Sequence, residues 1–393
     1  MIPSADRPRL SILIFLSALS ALPVNMFVPS LPKIADDLHA EFALVNLAIT
    51  GFAAVSAIAG FVMGALSDRL GRRPVILVGL TVFAAASVGC SVATQIGPFL
   101  FFRLAQGAFI AAYRVPLAVI RDSSDERMTA SQIGYISSAW AIAPLLGPSI
   151  GGLLDACFGW RANFVAFAAL GAVGLTVSGC FLAETNTRPS NAIILPTRSY
   201  YELILSGRFW AYALCTAFSL GTFYTFLGGA PLVANKLIGG STITLGLYMG
   251  VTPAGFILGS YLAGRYGSRY APDAVLVFAR ALTCLGLLAG LVFYFCGLTH
   301  PLAFFSPCVF VGLGNGLTFP AASAVILSIR PDIAGTASGL AGALSAGGGA
   351  IVAFLSGLII TQANASYAVL GVMLSSSAVA LISALAAAAL DRR

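Results

Sequence analysis

Twelve apolar stretches of about twenty residues make up most of this chain, and each is long enough to cross a ~30 Å hydrocarbon core as a helix. They lie near residues 10–31, 43–66, 74–94, 98–120, 131–154 and 162–183, and again near 209–233, 242–264, 274–297, 302–328, 336–360 and 366–390. Charged, Pro-rich or Gly-rich turns bound them, and inside lipid a helix satisfies its own backbone hydrogen bonds. With 59% hydrophobic and 9% charged residues, against roughly 25% charged in a soluble domain, the chain reads as an all-α membrane protein of twelve transmembrane helices. All fourteen Asp and Glu residues fall outside these stretches.

The stretches divide evenly. Only 184–208 forms a longer polar connection, so residues 1–183 are expected to be an N-terminal six-helix half, 184–208 a cytoplasmic connecting loop, and 209–393 a C-terminal six-helix half. Gly60-Phe61-Val62-Met63-Gly64, ending the second stretch, recurs as Gly255-Phe256-Ile257-Leu258-Gly259 ending the eighth. Both runs lead into basic turns. Two six-helix pseudo-repeats about an axis along the membrane normal would place a cavity between them, with substrate near the midplane.

Basic residues orient the chain, because short cytoplasmic loops retain Lys and Arg. With the N-terminus inside, fifteen Lys and Arg residues are cytoplasmic and three are external (Lys33, Arg161 and Lys236), while Arg103, Arg114 and Arg280 lie within helices. Both termini are therefore expected on the cytoplasmic side. The net charge of +7 follows from that topology and an anionic inner leaflet, and it implies no nucleic-acid partner. Arg7 and Arg9 ahead of an apolar run could be taken for a cleaved signal peptide, but cleavage would leave eleven spans and reverse the charge balance.

Several function classes drop out. The seven cysteines form no CxxC pair and read as small core residues, with no metal site or cofactor. The two lysines, Lys33 and Lys236, follow Pro32 and Asn235, which excludes a phosphate-cradling G-x-x-x-x-G-K-[ST] loop and hence an ATP-driven pump. No cluster of His, Asp or Glu lies within the apolar stretches, so a membrane enzyme is not expected.

Gly64-Ala65-Leu66-Ser67-Asp68-Arg69-Leu70-Gly71-Arg72-Arg73 matches G-x-x-x-D-R-x-G-R-R at every fixed position. Arg103-Leu104-Ala105-Gln106-Gly107 matches R-x-x-Q-G, and Ala143-Pro144-Leu145-Leu146-Gly147-Pro148-Ser149-Ile150-Gly151-Gly152 is similar to a signature of exporters. In these motifs, and over essentially its whole length, the chain resembles the major facilitator superfamily, and more narrowly its bacterial Bcr/CflA-type drug and proton antiporters. The resemblance implies a cytoplasmic gate at Gly64, Asp68, Arg69, Gly71, Arg72 and Arg73, proton coupling through Arg103, and a hinge at Pro144, Gly147, Pro148 and Gly151. It also implies monomeric function in a bacterial inner membrane. Weaker echoes are Pro29-Ser30-Leu31-Pro32, Arg121-Asp122, Gly159-Trp160-Arg161 and Ala230-Pro231.

The chain departs from the family where a proton is usually carried. Many relatives have Asp-Met-Tyr-Leu-Pro in the first span, and here Asn25-Met26-Phe27-Val28-Pro29 puts an amide in place of the acid. Asp36, Asp37, His39, Asp68 and Asp155 remain as titratable candidates, all expected near helix ends or turns. Arg114 departs in the other direction. It lies eleven residues beyond Arg103, on nearly the same helix face and about 16 Å deeper. A charge at that depth costs roughly 2.5–3.5 kcal/mol and asks for water, a partner or a ligand. Arg280 is expected near an interface. Asn25, Asn46, Gln106, Arg114, Tyr135, Trp140, Tyr224, Tyr248 and Asn315 are candidate substrate contacts, the aromatics giving tolerant surface and the amides orientation. The expectation is an exporter of small hydrophobic or amphiphilic compounds driven by protons. The alternative is a carrier of anionic metabolites held by Arg114 and Arg103.

Overall fold

A computed structural model describes residues 10–110, 143–184, 203–239, 241–266, 269–298, 300–329 and 334–391, with the side chains of 60–65 and a few others outside the description. The chain separates into two compact units, Met1–Ile193 and Ile194–Arg393. Among the described residues every regular element is helical, and ten helices are long and apolar enough to span a membrane.

In the first unit the helices are α1 (Leu10–Asn25), α2 (Leu31–Asp37), α3 (Phe42–Leu70), α4 (Arg72–Val92), α5 (Ile96–Ile110), α6 (Ala143–Phe158) and α7 (Arg161–Phe181). The second unit has α8 (Gly207–Ile238), α9 (Thr242–Met249), α10 (Val251–Tyr266), α11 (Pro272–Phe295), α12 (Pro301–Ile329), α13 (Ala334–Ile359) and α14 (Ala365–Asp391). The first expected span is a broken rod, because Pro23 lies within α1 and Pro29 and Pro32 follow. A proline removes a backbone donor and clashes with the preceding turn, so α1 gives way to a 3₁₀ turn at Val28–Ser30 and then to α2. The eighth span is likewise divided, at Gly250, into α9 and α10.

Small residues set how closely helices approach. In the second unit, a Cβ on Gly255 would lie 2.3 Å from the Val309 carbonyl oxygen, and one on Gly259 2.2 Å from that of Leu313. From the opposite side, a Cβ on Gly316 would lie 2.3 Å from the Phe256 carbonyl oxygen. The glycines of the repeated G-x-x-x-G run thus let α10 and α12 meet backbone to backbone. Aromatic rings fill the first unit: Phe164 of α7 meets Phe27, Phe99, Trp160 and Phe167, mostly edge to face, the arrangement that aromatic quadrupoles favour.

The helix α6 corrects one expectation. The fifth span was expected to end at 154, leaving every acid outside the apolar segments. The helix continues to Phe158 and carries Asp155 inside the fold at 2% exposure.

Candidate functional site

A guanidinium sits at the centre of the first unit. Arg103, on α5, is completely buried. Its Nη1 donates to Gln106 Oε1 (2.7 Å), its Nε to the Ala48 carbonyl of α3 (3.1 Å), and its Nη2 to the Pro23 carbonyl near the end of α1. The Phe27 and Phe52 rings lie 4.3 and 3.9 Å from its Cζ. Helix ends leave carbonyls without intrahelical partners, and a desolvated cation over an aromatic face gains up to about 2 kcal/mol. Carbonyl oxygens, an amide and two ring faces therefore hold this charge. Gln106 is taken up on both sides, since its Nε2 donates to Ser87 Oγ at 2.7 Å.

A second polar line runs along the contact between α1 and α6. Asn25 is buried at 3% exposure; its Nδ2 donates to the Ala21 carbonyl, and its Oδ1 has no partner among the described residues. Gly147 faces it, with a Cβ there falling 3.7 Å from Asn25 Cβ. One turn on, a Cβ at Gly151 would lie 1.6 Å from the Met26 carbonyl oxygen, so only glycine fits. Asn163 of α7 ties the two together by donating to Ser30 Oγ and to the Gly151 carbonyl, each at 3.3 Å. A further turn along α6 stands Asp155. Its side chain is fully enclosed, and Lys33 Nζ from α2 reaches its Oδ1 at 3.2 Å, while the lysine itself is 47% exposed. Among the described residues, neither carboxylate oxygen accepts a directed hydrogen bond.

Lys33 also lines an open recess of about 630 Å³ with Asp36, Asp37, His39, Phe158, Gly159, Trp160 and Arg161. There Asp37 Oδ2 accepts from Trp160 Nε1 (3.1 Å) and from Arg161 Nη1 (2.5 Å), and Arg161 Nη2 donates to the Ala93 carbonyl. The arginine lies over the Trp160 ring, 4.3 Å from its centroid.

At the opposite end of the unit, the α3–α4 turn is held by a residue outside the matched motif. Gly71 has φ +100°, a conformation that L side chains avoid. The backbone amides of Arg72 and Arg73 donate to Glu184 Oε1 (2.8 Å) and Oε2 (3.0 Å). A carboxylate at the head of α4 satisfies orphan amides and meets the positive end of the helix dipole. Arg72 Nη1 donates to Ser67 Oγ (2.6 Å), and Arg73 Nη2 to the Gly179 carbonyl (2.7 Å).

The second unit has its own enclosed cation. Arg280 of α11, expected near an interface, is 0% exposed. Its Nη1 donates to Ser219 Oγ (2.8 Å) on α8 and to Asn315 Oδ1 (3.0 Å) on α12, while Asn315 Nδ2 donates to the Ser219 carbonyl. The glycine at 314 gives it room, since a Cβ there would lie 2.8 Å from Arg280 Nη2. A surface reading fails because the neighbouring helices supply polar partners in the interior.

The model of the Major Facilitator Superfamily matches residues 13–353. The chain belongs to this superfamily. Its members are transporters and not enzymes, and the chain is a multi-pass membrane protein. It is 27% identical over 349 residues to a chloramphenicol resistance protein of Pseudomonas aeruginosa, covering 87% of this chain and 81% of that one. It is 32% identical over 217 residues to the multidrug resistance protein MdtL of Escherichia fergusonii, covering 55% of each. Its fold is similar to that of a D-xylose–proton symporter, with a TM-score of 0.78, 14% identity, and 96% and 95% of the two chains covered.

Placed on this member of the superfamily, the expected site residues separate. Gln106 and Asn315 have their amides tied to Arg103 and Arg280. Asn46 is buried at 5% exposure with Oδ1 unpartnered. Tyr248 is partly buried and stacks on Phe305 at 4.8 Å, and Tyr224, also partly buried, lies against Phe223. Arg114, Tyr135 and Trp140 lie outside the described residues, as does the side chain of Asp68. Gly64 falls within α3, and Arg69 is exposed. Pro144 is half-buried and Pro148 buried on α6. Sequence reasoning passed over Glu184, Lys33 and the structural weight of Arg161. The one signal for the last was the Gly159-Trp160-Arg161 echo.

Proposed function

We propose that this chain is an exporter of small hydrophobic or amphiphilic compounds, working by alternating access and proton antiport in a bacterial inner membrane, as a monomer with both termini cytoplasmic. The observation that carries this reading over the anion-carrier alternative is the state of Arg103. Every nitrogen of its guanidinium donates within the first unit, and none of its surface is exposed. A counter-ion for an anionic substrate needs donors facing the substrate, and Arg103, enclosed on all sides, exposes none of its N–H groups. The likeness over most of both chains to a protein named for chloramphenicol resistance supports a neutral drug as substrate.

The test is transport into proteoliposomes. Chloramphenicol, a cationic dye and an organic anion are each offered under an imposed pH gradient. Gradient-driven movement of chloramphenicol, abolished by a protonophore, is the expected result. Movement confined to the organic anion would replace this reading with the anion carrier.

A further inference from the structure

Asn25 puts an amide, which carries no proton, in the first span, and the geometry of the first unit encloses a carboxylate elsewhere. We infer that Asp155, paired with Lys33, is the proton-accepting switch of this transporter. This assignment rests on the proton-antiport reading above.

Three observations carry it. Asp155 is the one carboxylate among the described residues that is buried, and its oxygens accept no directed hydrogen bond, so the 3.2 Å approach of Lys33 is what compensates its charge. Withdrawing the cation leaves the enclosed carboxylate without compensation unless it takes up a proton. Departure of Lys33 and arrival of a proton are thereby coupled. Second, the lysine is built to leave, because it is 47% exposed and lines the open recess of about 630 Å³, where a flexible ammonium regains its hydration. Third, Asp155 continues the line of Gly147 and Gly151. It stands about 12 Å beyond Gly147 along α6, one turn past the close approach of Gly151 to Met26. Gly151 is pressed against the Met26 carbonyl just past the end of α1, so a movement of α6 at Asp155 has no slack to absorb it there.

Among the described residues, the charged and titratable groups around this pair are few. Lys33 of α2 faces Asp155 directly, Asp36, Asp37 and His39 stand at the rim of the recess, and Arg161 comes from the head of α7. Asp37 is held by Arg161 and Trp160, and α1 has no charged residue. The step balances simply. Hydronium from outer water gives its proton to a carboxylate oxygen of Asp155, forming an O–H bond as the ion pair opens and Lys33, still an ammonium, moves into the recess. When substrate enters from the cytoplasmic side, in the inward-open state of the alternating-access cycle proposed above, Lys33 pairs with Asp155 again, the O–H bond breaks and the proton passes to cytoplasmic water.

Two measurements on the full-length protein in detergent test this. The first, without substrate, is an infrared pH titration of the protonated-carboxyl band. It should be present in wild type and missing in Asp155→Asn. In Lys33→Gln, which takes away the adjacent cation, the band's dependence on pH should differ from that of wild type. The second is proton release on adding chloramphenicol, expected in wild type, lost in Asp155→Asn and restored in Asp155→Glu. An unchanged band in Asp155→Asn, or a band with the wild-type pH dependence in Lys33→Gln should the first variant fail to fold, overturns the assignment while leaving export intact. A wild type that transports chloramphenicol without releasing protons overturns the antiport reading and the role of Asp155 with it.

Discussion

A buried charge is an exacting tenant, and Arg103 and Gly151 show how single positions are constrained by it. Arg103 satisfies three acceptors on α1, α3 and α5 at once. Arg103→Ala strands those acceptors, with a predicted cost on the order of 3 kcal/mol, visible as a lower thermal unfolding midpoint in detergent and little surviving transport. Arg103→Lys keeps the charge but not the planar fork and should fall between the two. Gly151→Ala drives a methyl group into the Met26 carbonyl. Overpacking of this kind costs about 1–3 kcal/mol, so thermal stability should fall, whereas Gly179→Ala, with open space around its Cβ position, should be silent in the same assay. At this scale the sequence told part of the story. R-x-x-Q-G marked Arg103 as special, but that its neighbours would be carbonyls and rings depended on helices some fifty and eighty residues away.

Whole helices depend on contacts that the motifs do not contain. The N-terminus of α4 is capped by Glu184, which lies more than a hundred residues further along the chain. Glu184→Gln removes the charge from the dipole and weakens two hydrogen bonds, an expected loss of about 1–2 kcal/mol. Proteolysis near the α3–α4 turn should quicken correspondingly. In the second unit, Gly316→Val should part α10 from α12, because the Cβ position already meets the Phe256 carbonyl at 2.3 Å; reduced folded yield after solubilisation would report it. Asn315→Ala should lower stability by about 1–3 kcal/mol by withdrawing a partner from Arg280, with chloramphenicol affinity unchanged; a selective loss of affinity would return Asn315 to the substrate contacts. The span positions were legible because lipid demands long apolar runs. Their ends were less so, since hydropathy is blind to a carboxylate such as Asp155 that a helix carries inward beside a lysine.

At the scale of the molecule, twelve apolar runs and the absence of a nucleotide loop left a membrane protein that is not an ATP-driven pump. The G-x-x-x-D-R-x-G-R-R motif, together with the repeated G-x-x-x-G segment, is what pointed to a secondary transporter, and the superfamily match agrees. Proton antiport by the proposed route makes transport depend on the imposed pH gradient, so efflux of chloramphenicol from proteoliposomes should stop when the gradient is collapsed, and in Asp155→Asn it should no longer respond to that gradient. What the sequence determined by itself is what each segment can do alone: cross lipid, turn, or carry a charge at its end, all of which follow from local apolar length and local charge. Which charges end up enclosed, and by whom, was decided only by tertiary structure. Arg103, Arg280 and Asp155 are buried by helices distant in sequence, and the partner that makes a buried charge tolerable is a property of packing that no local window contains.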